Sequence, residues 1–155
     1  MSEGIPHFEH RDKPGHKGEE DLEKFFQAYE KLGAVVKINE EDYGKELDLK
    51  VDGYCRACEE TDTVEGIDFF YYRAHDKSWH KWDITSEKDH IKRAEKEAKN
   101  SALGIKTPFL PLYILREAAE SVATVIKEDL NRSQQKVWKE LARVTAPQEM
   151  ERTPA

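Results

Sequence analysis

The 155-residue chain is acidic and rich in charge, with a formal net charge of −7 and with charged and hydrophobic residues at 37% each. This length allows one domain with a buried core. The net charge argues against a protein that binds polyanions nonspecifically through Lys and Arg, but it does not exclude a site that holds divalent cations. The apolar runs are far shorter than the roughly 20 residues that cross a bilayer, and the N-terminus lacks a signal-peptide pattern. We therefore expect a cytoplasmic protein without a membrane segment.

Periodic patterns between residues 19 and 144 predict a single domain. Residues 1–18 hold Pro, Gly and His without apolar periodicity and are predicted to form a flexible arm, and residues 145–155 a flexible tail. Apolar residues at helical spacing predict a first helix over Glu19–Leu32, with Gly33 as its C-cap.

Two strands are predicted after this helix. The first is the short apolar run Ala34–Ile38. The second is Glu46–Cys55, in which a period of two places Leu47, Leu49 and Val51 on one face and charged residues on the other.

The centre of the chain reads as loop, strand, tight turn, strand and helix. Residues 61–66 are predicted to form the loop, and the β-branched and aromatic run Ile67–Tyr72 a buried strand. A second strand is predicted over His80–Thr85, because a period of two places Trp82 and Ile84 on one face.

A helix is predicted to follow at once, with Ser86 as its N-cap and Asn100 near its end. Small residues on its apolar stripe would let it lie close against a sheet. The stripe consists of Ile91, Ala94, Ala98 and Ala102.

The C-terminal third is predicted to hold one more strand and two helices. The strand is Phe109–Leu115, where Pro111 indicates an edge or early strand position, and a right-handed crossover makes it parallel to a neighbour. The helices are Ala118–Leu130 and Gln134–Val144, and Trp138 suits either core packing or a homodimer contact. The fold class is therefore α/β (α+β), with a mixed sheet of four or five strands flanked by helices.

Two aspartates are predicted to lie on neighbouring strands. Asp68 opens the first central strand, and Asp83 lies at the end of the second, next to the helix. Carboxylates in this arrangement are what a divalent metal site needs, and Glu23 or Glu30 of the first helix can reach across the sheet. The alternative is structural, with Asp68 capping a strand and Asp83 capping the helix.

These elements and aspartates resemble the PD-(D/E)XK nucleases, in which one Asp opens a strand and an acidic-X-Lys triplet lies on the next. The resemblance covers about Glu19 to Arg116, with Gly66-Ile67-Asp68 in the first place and Asp83-Ile84-Thr85 in the second. It implies a restriction-endonuclease-like fold, Mg²⁺ or Mn²⁺ bound by the two aspartates, and phosphodiester hydrolysis in nucleic acid.

The motif departs from the family at Thr85, where the family has a lysine that orients the attacking water. Lys81, on the same strand face as Asp83, and Lys88, in the first turn of the helix, are candidates to replace it. Without such a lysine, the resemblance implies a relative that binds metal or nucleic acid but has lost hydrolysis. Asp48-Leu49-Lys50 is an alternative triplet, less favoured because no helix follows it.

A zinc site is a separate hypothesis. Cys55 and Cys58 have the spacing of half a zinc knuckle, and His75 and His80 can supply the other two ligands. The alternative is a pair of packed, reduced thiols. The rival function is a noncatalytic module that binds nucleic acid or protein through the aromatic residues of the two central strands, with or without zinc.

Basic residues recur along the central helix and define a candidate basic face: Lys88, Lys92, Arg93, Lys96 and Lys99. The alternative is a solvated helix surface on which Glu95 and Lys99 form an i,i+4 ion pair.

Overall fold

A computed structural model describes residues 14–120 and 130–146. Within these residues the chain forms five α-helices, one 3₁₀ turn over Glu40–Asp42 and one five-stranded sheet, which confirms the predicted α/β class. The helices and strands, in chain order, are α1 (Pro14–Lys31), β1 (Val35–Lys37), β2 (Asp52–Arg56), α2 (Glu59–Glu65), β3 (Phe69–Arg73), β4 (Ser78–Trp82), α3 (His90–Ala102), β5 (Ile105–Lys106), α4 (Leu112–Glu120) and α5 (Arg132–Thr145).

Some predicted segments lie outside the described residues. They are residues 1–13 of the predicted arm, residues 121–129 of the predicted helix over 118–130, and the predicted tail from residue 147. The first helix begins at Pro14, so the C-terminal end of the predicted arm is helical.

The sheet is mixed, and its strands lie in chain order from β1 to β5. The three central strands form an antiparallel meander, while β1 is parallel to β2 and β5 is parallel to β4. The predicted turn between β3 and β4 contains Lys77 at φ 57, the left-handed conformation that a tight turn requires. Helix α3 is the crossover that makes β4 and β5 parallel.

Helix α1 covers one face of the sheet, and its aromatic residues form the centre of the larger core. The Phe26 ring lies at the centre of this core. It stacks on the rings of Tyr54 and Trp82, with centroid distances of 4.9 Å and 6.3 Å. Trp138 of α5 packs on Phe25 and Tyr29, so its ring contributes to core packing. The other face carries a smaller core, covered in part by the loop between β1 and β2.

The predicted strand Glu46–Cys55 forms only at its end, because β2 begins at Asp52. The preceding loop is held across the second sheet face, where the Tyr72 hydroxyl bonds both the amide and the carbonyl of Leu47. Leu47 and Leu49 therefore pack on the smaller core without joining the sheet.

The predicted strand Phe109–Leu115 is wrong, because α4 begins at Leu112. Phe109 makes one isolated bridge to Thr85, and the fixed φ of Pro111 then suits the start of a helix. The carbonyl of Pro111 accepts from the amides of Ile114 and Leu115. The parallel strand beside β4 is instead the two-residue β5.

Helix α3 is present, but its predicted cap and its predicted buried face are wrong. Asp89, rather than Ser86, caps the helix, accepting from the amides of Ile91 and Lys92. The predicted apolar stripe is exposed, with Ile91 at 67% of its full accessibility. The side that faces the protein is polar, and Asn100 is its one buried residue.

Phe26 is expected to dominate the stability of this fold. Phe26→Ala removes the ring that joins α1 to three strands and should lower the free energy of unfolding by about 3 to 5 kcal/mol. Leu103→Ala, at a site 59% exposed, is the matched control and should change it by less than about 0.5 kcal/mol. Urea unfolding followed by Trp fluorescence measures both, and equal costs for the two variants would contradict this packing.

Candidate active site

Three carboxylates from three different elements meet at one end of the sheet. Glu19 lies in α1, Asp62 in α2, and Asp68 immediately before β3. One carboxylate oxygen of each lies within 4.8 Å of the others. Glu19 and Asp68 are buried, and Asp62 is half-buried. We call these three residues the carboxylate cluster.

The local sequence explains why these segments converge. Strand β2 ends at Arg56, and Cys58 caps α2 almost at once, accepting from the amide of Thr61. Helix α2 ends at Glu65, and its C-cap Gly66, with a φ of 72, reverses the chain into β3. Asp62 and Asp68 are therefore brought to the end of the sheet at which β2 ends and β3 begins.

Backbone contacts hold Asp68 in place. Its amide donates to the carbonyl of Trp82 at 2.7 Å, and its carbonyl accepts from the amide of Ala57 at 2.8 Å. Its Oδ2 accepts from the amide of Ile84 at 2.9 Å. The backbone of Asp68 is thus held from both sides, and the amide of Ile84 orients its carboxyl group.

The carboxylate cluster is electrostatically strained. Burial raises the pKa of Asp68 to about 11, with further contributions from the charge and hydrogen bond of Glu19 and from the charges of Asp83 and Asp62. Without a bound cation, the Asp68 carboxyl therefore keeps its proton at neutral pH.

Arg56 partly compensates for this negative charge. Its Nη1 donates to Glu23 at 2.8 Å, and its Nη2 lies 3.4 Å from Glu19. The prediction of Glu23 selected the right helix face, but Glu19, one turn earlier, is the α1 residue in the cluster. Glu30 instead accepts from the Tyr54 hydroxyl.

Asp83 lies beside the cluster but points towards α3. Its Oδ2 accepts from Nδ2 of Asn100 at 3.0 Å and lies 3.5 Å from Nζ of Lys96. The same Asn100 amide donates to Thr107 at 3.0 Å, which fixes it between two acceptors. Asp68 and Asp83 are thus electrostatic neighbours, but among the described residues Asp83 is not a member of the cluster.

The lysine that contacts Asp83 is neither of the two predicted to replace the motif lysine. Lys81 lies over the Tyr43 ring at 5.8 Å, and Lys88 is exposed. Thr85, in the motif position of the lysine, is buried and accepts from the amide of Glu87. Lys96 is the lysine that reaches Asp83.

The sequence contained weak signals for three of the four site residues that the sequence analysis did not assign to the site. Lys96 and Asn100 are four residues apart on a helix that follows Asp83, so they share one face. Glu19 precedes Glu23 by the same interval. Asp62 had no such signal, since the segment predicted as a loop forms α2.

The four predicted zinc ligands do not converge. Cys55 pairs with Phe70 and belongs to the smaller core, whereas His80 is opposite Tyr71, whose side chain is in the larger core. Cys58 caps α2, and His75 is exposed at the β3 to β4 turn. In residues 14–120 and 130–146, the carboxylate cluster is the one group of three or more candidate metal ligands.

Comparisons of this chain with protein-family models, with curated proteins and with solved structures found no match. Across the described residues, no helix has the length and apolar composition needed to cross a membrane.

The two thiols should differ sharply in reactivity. Cys58 is exposed, whereas Cys55 is buried and its pKa is raised to about 11, chiefly by burial. At pH 8 we expect Ellman's reagent to label one thiol in the folded protein and two after denaturation, because only a thiolate reacts. Cys58→Ser should remove the native signal. Protection of both thiols by added zinc would instead support the zinc hypothesis.

Proposed function

We propose that this protein is a metal-dependent nuclease that hydrolyses phosphodiester bonds in nucleic acid. The observation that carries the proposal is the carboxylate cluster, assembled from α1, α2 and the start of β3 beside Asp83. The order helix, antiparallel meander, helix and parallel strand supports it, because the resemblance to PD-(D/E)XK nucleases implies such an order.

The cluster suits Mg²⁺ or Mn²⁺ by its chemistry. All three ligand groups are carboxylates, the oxygen donors that such hard cations prefer. Buried carboxylates this close repel one another unless a proton or a cation intervenes, as the raised pKa of Asp68 indicates. Glu19, Asp62 and Asp68 would hold the ion. When bound, it supplies positive charge that offsets the charge developing on the phosphoryl group and acidifies water.

The residues beside the cluster hold its neighbouring side chains in position. Asn100 holds Oδ2 of Asp83, and Lys96 contacts the same atom. Lys96 therefore takes the place of the missing motif lysine, and its ammonium group can donate to the attacking water or to a phosphate oxygen. Arg56, the last residue of β2, restrains Glu19 and Glu23.

Asp68→Asn should abolish metal-dependent cleavage while leaving the protein folded. The substrates are single-stranded, duplex and branched DNA and RNA with Mg²⁺ or Mn²⁺, and we expect the rate to fall about 10²-fold or more. The same variant should unfold at an equal or higher urea concentration in EDTA, because Asn is already neutral, whereas the buried Asp68 must take up a proton when the protein folds at neutral pH.

Asp48→Asn is the matched control for Asp68→Asn. Asp48 is exposed and lies in the alternative acidic-X-Lys triplet, and its charge acts on Lys77, in the turn at the opposite end of β3 from Asp68. Cleavage should be unchanged, and a loss in this variant would place the chemistry at the alternative triplet. Absence of cleavage by wild type, with no Mg²⁺ binding by calorimetry, would overturn the nuclease and favour the noncatalytic binding module.

Lys96→Met should lower kcat by about 10²-fold or more while calorimetry still detects Mg²⁺ binding, because the lysine acts beside Asp83 and is not a metal ligand. Lys81→Met and Lys88→Met are controls at the two lysines that the sequence suggested, and each should keep near wild-type kcat. If Lys81→Met or Lys88→Met lost activity and Lys96→Met did not, the assignment of Lys96 would be wrong.

A further inference from the structure

Helix α3 is more exposed than an ordinary packed helix, and polar residues attach it to the protein. Asn100 is buried, while Arg93 and Lys96 are half-buried. The Arg93 guanidinium lies 3.9 Å from the centroid of Phe109 and donates to the carbonyl of Glu87. These contacts fix the rotation of the helix about its axis.

This rotation places three lysines along one edge of α3. Lys92, Lys96 and Lys99 follow the i, i+4, i+7 spacing, so they lie about 4.5 to 6 Å apart along the axis. Lys96 reaches Asp83, whereas Lys92 and Lys99 are exposed and make no ion pair in the part of the chain that the structure describes. The predicted pair between Glu95 and Lys99 is not formed there. We call these three lysines the lysine edge.

A nucleic-acid substrate would need a basic surface next to the carboxylate cluster. The chain has a net charge of −7, and the carboxylate cluster together with Asp83 adds local negative charge that repels phosphates. The lysine edge passes Asp83 at its middle residue, Lys96, and extends to either side through Lys92 and Lys99, whose ammonium groups form no ion pair with the described carboxylates. It is therefore a basic surface that adjoins the site.

We propose that the lysine edge of α3 binds the phosphate backbone of the nucleic acid and leads it to the site, an inference that rests on the proposed nuclease function. A nucleic-acid strand carries a charge about every 3.4 Å along its axis, so a strand lying along α3 places a phosphate beside each lysine. Lysines that contact phosphates set affinity and salt dependence and do not read sequence. The edge therefore binds without regard to base sequence.

The test is the salt dependence of binding by Lys92→Gln/Lys99→Gln. The probes are fluorescein-labelled 30-nucleotide single strands and 30-base-pair duplexes, followed by anisotropy in EDTA so that cleavage plays no part. The slope of log K against log salt should become shallower by about 1.5, from two lysines at roughly 0.7 to 0.9 each. Lys31→Gln/Lys50→Gln, exposed lysines beside the starts of β1 and β2, is the control and should keep the wild-type slope.

A gain-of-charge variant tests the same edge in the opposite direction. Glu95→Lys, on the exposed side next to Lys92 and Lys99, should steepen the slope by roughly 0.7 to 0.9. Circular dichroism should show that all these surface variants remain folded. Unchanged slopes in both α3 variants would overturn the lysine edge, even if wild type cleaves. Changed slopes without any cleavage would support the edge and overturn the nuclease.

Discussion

The structure depends on the packing of the aromatic face of α1 against the sheet. Phe26 contacts rings from three strands, and Phe25 and Tyr29 extend the contact to α5. Burial of these rings fixes α1 in position and rotation, and the same helix carries Glu19. The hydrophobic core thus holds Glu19 close to the buried Asp68, whose pKa the charge of Glu19 raises.

Arg56 and backbone amides reduce, but do not remove, the repulsion among the buried acids of the carboxylate cluster. Arg56 contacts Glu19 and Glu23, and backbone amides hold Asp68, yet burial and neighbouring charge still raise the pKa of Asp68. A protein selected only for stability would replace one of these acids, since buried like charges oppose folding. A bound cation would give the arrangement a physical reason, and the nuclease proposal rests on that expectation.

Polar contacts position α3, and this explains both a failed prediction and a candidate role. The apolar stripe predicted a buried face, because amphipathic helices usually bury their apolar side. Asn100 between Asp83 and Thr107, with Arg93 over Phe109, instead turns the polar side inward. Lys96 is thereby brought to Asp83, which no count of apolar residues could reveal.

The sequence by itself determined the class of fold, the buried face of α1 and the two aspartates at adjoining strand ends, because periodicity and turn residues act over a few neighbours. The apolar run Phe109–Leu115 misled the strand prediction, since local pattern does not distinguish a buried strand from the start of a buried helix. Only the tertiary structure decided that Glu19 and Asp62 join Asp68, and that Lys96 faces Asp83. Such contacts depend on how separate elements dock, and docking is set by packing across the whole sheet.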